Sequence, residues 1–508
     1  MMMKKYYIYL LSVVLFAACD LDREPNGISN FWNTQDDVQM GLDAAYEPLY
    51  YEEGFGRGQW WLGPASDDMV TNRGVNEIVS MTNFTADGLV NASSNVYENW
   101  QLMYRVIRRC NDVMKHAPLV EMSQADRDVI LGEANFLCAF SYFFLAKRYG
   151  GLPFYDYNHP EELNKARETK TETYKRIVAY LEKAVEHFEA QSLWKRDDGA
   201  WGRPTLGAAY GLLAKVYAHW GKYDQCKTYT RKVIDSHQYS LDKTDNNGYA
   251  HLFSPAGEKH EEVLFNLVCN PVRHQGTVSS VILLSFSLSD GAGWSYFAPT
   301  KSLYNAFEEG DLRRKVTMVG PGDEVGYLGK KMTLTANSIA DMSTGYMCAK
   351  FASAYDGLTE WQWETGADIP LLRYADILLL DAEAEIFLAN GGPDNRTLGV
   401  PAAAASFNEV RLRAFGGDES KRIAAPTFND LMRERRCELA YEDERHFDLV
   451  RWGLAKEVYA AAIGDPRGPR NFDPVKNAHF PLPQKEIENS DYKLINNPAE
   501  GYSTFGDK

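Results

Sequence analysis

Between residues 433 and 453 the chain carries Arg435, Arg436, Glu438, Glu442, Asp443, Glu444, Arg445, His446, Asp448 and Arg451. On one helix, Glu438 and Glu442 would lie a turn apart, as would Glu444 and Asp448. Paired carboxylates about 5–5.5 Å or 6.5–9.5 Å apart are what glycoside hydrolysis requires. Here, however, opposite charges recur at i, i+3 and i, i+4, the spacing of helical ion pairs. Met432, Leu439, Phe447, Val450 and Leu454 would give the same helix a buried stripe. The segment therefore reads as a packed structural helix, and no catalytic residue is assigned in it.

Other chemistries fail on spacing. Residues 242–248 (DKTDNNG) suggest a calcium loop, but alignment on Gly248 puts Lys243 first and Ser254 at the closing acid, so a turn is expected. The ten histidines show no HExxH or similar pattern, and no metal or other cofactor is assigned. Gly320-Pro-Gly322 and Gly326 match no phosphate-binding loop.

The aromatic residues are more informative: 30 Tyr, 24 Phe and 11 Trp make up 13% of the chain, and much of this must be core. Trp60 and Trp61 are adjacent, so both cannot face one helical core. They lie between Gly54, Gly56 and Gly58 on one side and Gly63-Pro64 on the other, which places them on a loop. Asp67, Asp68 and Arg73 follow. Trp294 and Tyr296 come after Gly291 and Gly293, and Trp361 and Trp363 stand in a polar insertion. An indole offers a flat apolar face and a polar edge. It can stack on the C–H face of a sugar while Asp or Arg holds the hydroxyls. These nine residues form the expected ligand site.

The elements that must carry them are mostly helices. Apolar residues recur at helical spacing over residues 36–51, 96–117, 123–149 and 172–188. Ser123 to Asp126 forms a capping-box-like start, and Gly150-Gly151 before Pro153 a stop. At residues 205–236, Ala214, Tyr217, Gly221, Tyr223 and Cys226 are spaced as in a tetratricopeptide repeat. Small Ala214 and Cys226 allow close approach, Gly221 and Lys222 make the turn, and Tyr217 and Tyr223 fill the groove. Repeat helices need neighbours to bury their faces, so several pairs should stack. From 242 to 370 the chain turns loop-rich, with short candidate strands at 263–268, 278–284 and 330–334. Helix is expected again over 371–390 and 401–414.

The N-terminus reads as an export signal. Lys4 and Lys5 precede an apolar run from Tyr6 to Ala18, too short to span ~30 Å of hydrocarbon. Cys19 stands at the expected cleavage point, with Ala17 and Ala18 before it and Leu15 one place earlier than usual. This resembles a bacterial lipoprotein signal, which implies that Cys19 carries lipid. The polar stretch after it, with Pro25 and Gly27, reads as a tether, and twelve such residues reach at most ~40 Å. The acids after Cys19 resemble the surface-export signal of Bacteroidetes lipoproteins. The net charge of −16 and the absence of a basic tract argue against nucleic acid as a partner. The remaining six cysteines are widely spaced. Neither a zinc site nor a disulfide framework is indicated, though one disulfide is left open.

Five segments together resemble the SusD/RagB family of surface glycan-binding lipoproteins. They are 134–156 (ANFLCAFSYFFLAKRYGGLPFYD), the 205–236 hairpin, 371–390 (LLRYADILLLDAEAEIFLAN), 433–453 (RERRCELAYEDERHFDLVRWG) and 479–498 (HFPLPQKEIENSDYKLINNP). The Pro-x-Pro-x-x-Glu-Ile run at 481–487 and the 433–453 segment are the most specific. The resemblance implies a mainly α chain: a tetratricopeptide-like helix-pair scaffold with a loop-rich, strand-poor binding subdomain. It implies a signal peptide at 1–18, a tether at 19–35, a helical region at 36–240 and a C-terminal region at 241–508. That last region would be loop-rich to 370 and helical from 371 to 460. It also implies an oligosaccharide or polysaccharide ligand, a SusC-like TonB-dependent transporter as partner, an outer-membrane location and no catalytic activity. In that family the loop after the first helix, here the one holding Trp60 and Trp61, contributes to the ligand site. Two rivals share the scaffold. One is a surface-anchored helical glycoside hydrolase or lyase, which would need two acids free of cations in one cleft. The other is a peptide binder.

Overall fold

The computed structural model describes residues 31–51, 54–55, 65–73, 76–85, 94–155, 165–196, 199–269, 294–327, 330–352 and 368–495. Cys19, Trp60, Trp61, Trp361, Trp363 and the candidate strand at 278–284 lie outside them.

The principal helices are α1 (Gln35–Tyr50), α2 (Ser94–His116), α3 (Gln124–Tyr149), α4 (Lys170–Ala190), α5 (Leu206–Trp220), α6 (Tyr223–Ile234), α7 (Tyr374–Asn390), α8 (Ala404–Ala414), α9 (Phe428–Glu438) and α10 (Arg445–Arg451). Their starts follow from local chemistry. Thr34 forms a capping box with Asp37 and Ser123 Oγ accepts from the Asp126 amide at 3.0 Å, each satisfying a donor the helix cannot. Neighbours in sequence pack as neighbours in space, α1 on α2, α2 on α3, α3 on α4, α4 on α5 and α5 on α6, and α6 then packs on α7. The protein is thus mainly helical, built of stacked antiparallel pairs.

The hairpin of α5 and α6 has the expected repeat geometry. Gly221 caps α5 in the left-handed region at φ 75°, which an L side chain adopts only at a cost. Ala214, Ala218 and Cys226 are buried against Leu380 and Ala384 of α7, so the small residues admit the next helix. Tyr223 stacks on Phe387 with centroids 4.0 Å apart, and Tyr217 stacks on Tyr229 at 5.6 Å. Between α3 and α4, Gly132 sits where a Cβ would lie 2.5 Å from the Phe188 ring.

Helix α3 is the one described helix long and apolar enough to cross a membrane, but 89% of its apolar window is buried inside the fold. It is the centre of a core that runs continuously from Val38 to Leu494. Cys110, Cys138, Cys226, Cys269, Cys348 and Cys437 are all buried, and none of them forms a disulfide.

Strands occur only as two-stranded ladders among the described residues. They are β1 (Met69–Thr71), β2 (Val263–Leu267), β3 (Phe297–Pro299), β4 (Met318–Val319), β5 (Glu324–Tyr327), β6 (Lys330–Thr333), β7 (Met347–Cys348) and β8 (Ile369–Arg373), paired antiparallel as β1–β3, β2–β8, β4–β7 and β5–β6. Two sequence expectations need correcting. Helix was expected from Leu371, but residues 369–373 are strand β8 on β2, and α7 begins at Tyr374. The 433–453 segment is not one helix. It breaks after Glu438, turns through Tyr441 and Asp443, both left-handed at φ 65° and 61°, and restarts as α10. The 242–248 segment is a turn, as its sequence implies: the buried Asp242 carboxylate accepts from the Thr244 amide at 2.9 Å and contacts His251 Nδ1 at 2.6 Å.

Candidate functional site

The charged residues of α9, α10 and the turn between them build a buried ionic lattice. Glu438 is engaged by three arginines: Arg373 at 3.0 Å, Arg313 at 3.1 Å and Arg413. Glu442 accepts from both Arg373 Nε and Lys350 Nζ, at 2.7 and 2.6 Å. Asp448 takes Arg435 at 2.9 Å and Arg451 at 2.7 Å. Glu444 lies 2.9 Å from Lys215 and 3.3 Å from Lys147. Burial alone would raise the Glu438 carboxyl, but Arg413, Arg373 and Arg313 outweigh it and hold Glu438 well below the usual range. None of these acids faces solvent without a cation, so the pairs that suggested acid–base chemistry are structural.

Two arginines of this lattice reach outward to the segment before β1. Arg445 binds Asp67 through two bonds, and Arg436 donates to Asp68 at 2.7 Å and sits 3.0 Å from Asp67. Both acids are buried, at 6% and 3% exposure. Burial pushes Asp67 up, and the Arg436 and Arg445 guanidiniums more than reverse it, holding the carboxyl well below its usual range. Burial raises Asp68, against the pull of Arg436. The backbone here is tied as firmly: Thr300 donates from N to Asp68 O at 2.9 Å and from Oγ1 to Asp67 O at 2.6 Å. Asp67 and Asp68, expected to face the ligand, anchor this segment to the lattice. Their carboxylates are occupied by guanidiniums inside the fold.

The anchored segment continues into β1, whose ladder with β3 places Val70 opposite Ala298. Just beyond it the Asn72 amide donates to Tyr296 O at 2.6 Å. Asn72 Nδ2 donates to Ser295 O at 2.8 Å, and its Oδ1 accepts from the Ser343 amide at 2.7 Å. Arg73 Nε donates to Ser295 Oγ at 2.9 Å. Ser295 is fully buried and left-handed at φ 49°. It holds its two neighbours together: the rings of Trp294 and Tyr296 meet edge to face with centroids 5.9 Å apart. Both are half-buried and rest on the core.

The ladder therefore brings three of the expected site residues, Arg73, Trp294 and Tyr296, onto one patch although they come from loops 222 positions apart. Asp341 joins them. It lies 3.9 Å from Arg73, and both side chains are more than half exposed. A pair so long and so wet contributes little to stability, and its polar atoms remain accessible to hydroxyl groups. Asn72, Ser295, Asp341 and Ser343 were not singled out in the sequence. Of these, Asn72, next to Arg73, and Ser295, between Trp294 and Tyr296, carried a positional signal there.

Comparison with known proteins agrees with the fold. The SusD family model matches residues 233–502, and a model described as starch-binding associating with outer membrane matches residues 21–218. SusD-like protein P2 of Formosa agariphila is 26% identical, over 98% of this chain and all of that protein. A SusD-like protein of Bacteroides ovatus is 26% identical over 89% of this chain and 83% of its own. Among solved structures, a SusD-like protein from Bacteroides fragilis superposes with a TM-score of 0.76 at 21% identity, covering 92% of this chain and 98% of that one. Surface glycan-binding protein A from Bacteroides thetaiotaomicron, in complex with laminarihexaose, superposes at 0.72 and 23% identity, covering 91% and 99%. The family is one of non-catalytic glycan-binding proteins. Since the first of these family matches spans more than half of its length, the chain belongs to the SusD family.

Proposed function

We propose that this protein is a lipid-anchored glycan-binding protein of the outer membrane. It captures an oligosaccharide at the cell surface and passes it to a SusC-like TonB-dependent transporter. The observation that carries the reading is the Trp294–Tyr296 pair held beside Arg73 and Asp341. Two aromatic faces can stack on pyranose C–H surfaces while a guanidinium and a carboxylate exchange hydrogen bonds with ring hydroxyls. Trp60, Trp61, Trp361 and Trp363 belong to the same proposal as further stacking faces. Lipid on Cys19 and the tether after it would keep the patch close to a transporter, where the raised effective concentration makes modest affinity sufficient.

The reading is supported by family membership and by the laminarihexaose complex of a relative of the same fold. The deciding experiment incubates the purified protein with an array of plant, algal and microbial polysaccharides. Retention of at least one, with no new reducing ends, is expected. Retention of none removes the glycan reading, and new reducing ends would make the protein an enzyme.

A further inference from the structure

A second aromatic cleft lies on the helical scaffold. It opens between the segment following α4, the start of α5, the segment following α6 and the approach to β2, and has a volume of about 510 Å³. That is within the size range of small-ligand sites. It shares no lining residue with the Trp294–Tyr296 patch.

Trp194 and Trp201 both line the cleft and both are half-buried. Trp194 leans on the core through Tyr210, with centroids 5.9 Å apart. Trp201 has no ring or hydrogen-bond partner among the described residues. A tryptophan left half in water, with neither its face nor its N–H used, is an informative exception. The wall between the two is fixed. Tyr239 OH donates to Trp194 O at 3.3 Å and pairs with Thr205 Oγ1 at 2.9 Å. The Asn266 amide of β2 donates to Gly202 O at 3.0 Å, which holds the residue next to Trp201. The rim is polar: Lys259 is exposed, and Lys195 and Glu261 form an exposed pair at 3.3 Å, so neither is committed to the fold.

We propose that this cleft is a second glycan subsite that takes a neutral pyranose oligosaccharide. The sugar rings stack on Trp201 and Trp194, and their hydroxyls bond Lys195, Lys259 and Glu261. Aromatic faces with interspersed charged hydrogen-bonding groups suit an amphiphilic ring better than the continuous apolar groove a peptide helix would need. The inference rests on the glycan-binding reading and adds a consequence to it. A long polymer can engage patch and cleft together, so it binds more tightly than a short oligomer that engages either alone.

The test is calorimetric titration of the full chain in detergent with laminari-, malto-, cello-, manno- and xylohexaose. Three proteins are compared: the wild type, Trp201→Ala, and the double variant Trp294→Ala/Tyr296→Ala. Thermal unfolding confirms that each variant folds. The wild type should take two molecules of the same hexasaccharide, Trp201→Ala one, and the double variant one, with at least tenfold weaker binding at the altered site. A single wild-type site untouched by Trp201→Ala overturns the cleft and leaves the patch standing. Loss through Trp201→Ala with no effect of the double variant keeps the cleft and overturns the patch. If no hexasaccharide binds although the array retains a polysaccharide, this inference is overturned and the glycan reading stands; if the array retains none, both fall. An unstructured peptide that competes at Trp201 while sugars do not overturns the ligand class.

Discussion

The guanidinium of Arg445 holds the carboxylate of Asp67 through two bonds, Nε to Oδ1 at 2.8 Å and Nη2 to Oδ2 at 3.1 Å, across 378 positions of sequence. Through this pair and its neighbour Arg436–Asp68, the strand that leads to Arg73 is fastened to the buried lattice of α9 and α10. The proposed binding patch is a surface extension of a charged core.

Asp67→Asn should therefore be costly. It leaves Arg445 without its carboxylate partner, and Arg436 with Asp68 alone, in a site where Asp67 is only 6% exposed. Breaking a buried pair from one side typically costs about 3–5 kcal/mol. Urea unfolding should show a loss in that range, and glycan affinity should fall with it because β1 starts two residues later. A loss below about 1 kcal/mol, as for a surface pair, would show that the anchor is not carried by this carboxylate.

Trp294→Ala and Tyr296→Ala should each weaken retention on the cognate polysaccharide at least tenfold, about 1.4 kcal/mol, with little change in unfolding midpoint. Both side chains are half-buried and rest on the core only in part. Affinity electrophoresis separates the two effects. Normal retention by both variants would move the ligand elsewhere.

Much of the scaffold is readable from the sequence because helices declare themselves locally. Ser123 caps α3, Gly221 ends α5, and the apolar period names the buried faces. The failures are long-range. Residues 369–373 form a short apolar run whose strand identity comes from pairing with β2. The break after Glu438 is held by Lys350, which donates to Ala440 O at 2.8 Å and to Glu442 at 2.6 Å, and by Arg373. No pattern inside 433–453 reveals those partners. The aromatics near the site could be picked out singly, but which of them meet depends on β1 finding β3.

Stability should also carry a histidine signature. His446 is 6% exposed, its Nδ1 lies 2.9 Å from Tyr459 OH, and burial together with Arg470 and Arg148 pushes its pKa down to about 3. The unfolded chain takes up this proton below about pH 6.5 and the folded chain does not. Its contribution is thus fully present above pH 6.5 and is lost as pH falls, by about 1.4 kcal/mol per pH unit. The difference between wild type and His446→Gln isolates the histidine. That difference, from urea unfolding at pH 7.5, 6 and 5, should shrink as pH falls, and a constant difference would refute the assignment.

Attachment to the membrane should depend on Cys19 alone. Among the described helices only α3 is long and apolar enough to span, and it is committed to the core. The net charge of −16 gives no attraction to anionic lipid. Lipid contributes roughly 0.8 kcal/mol per buried methylene, so several acyl chains anchor firmly. Cys19→Ser should therefore lose labelling by radioactive palmitate and move from the membrane pellet to the soluble fraction, while retaining glycan affinity. A Cys19→Ser protein that remains in the pellet after a high-salt wash would require a second anchor and would end the tether proposal.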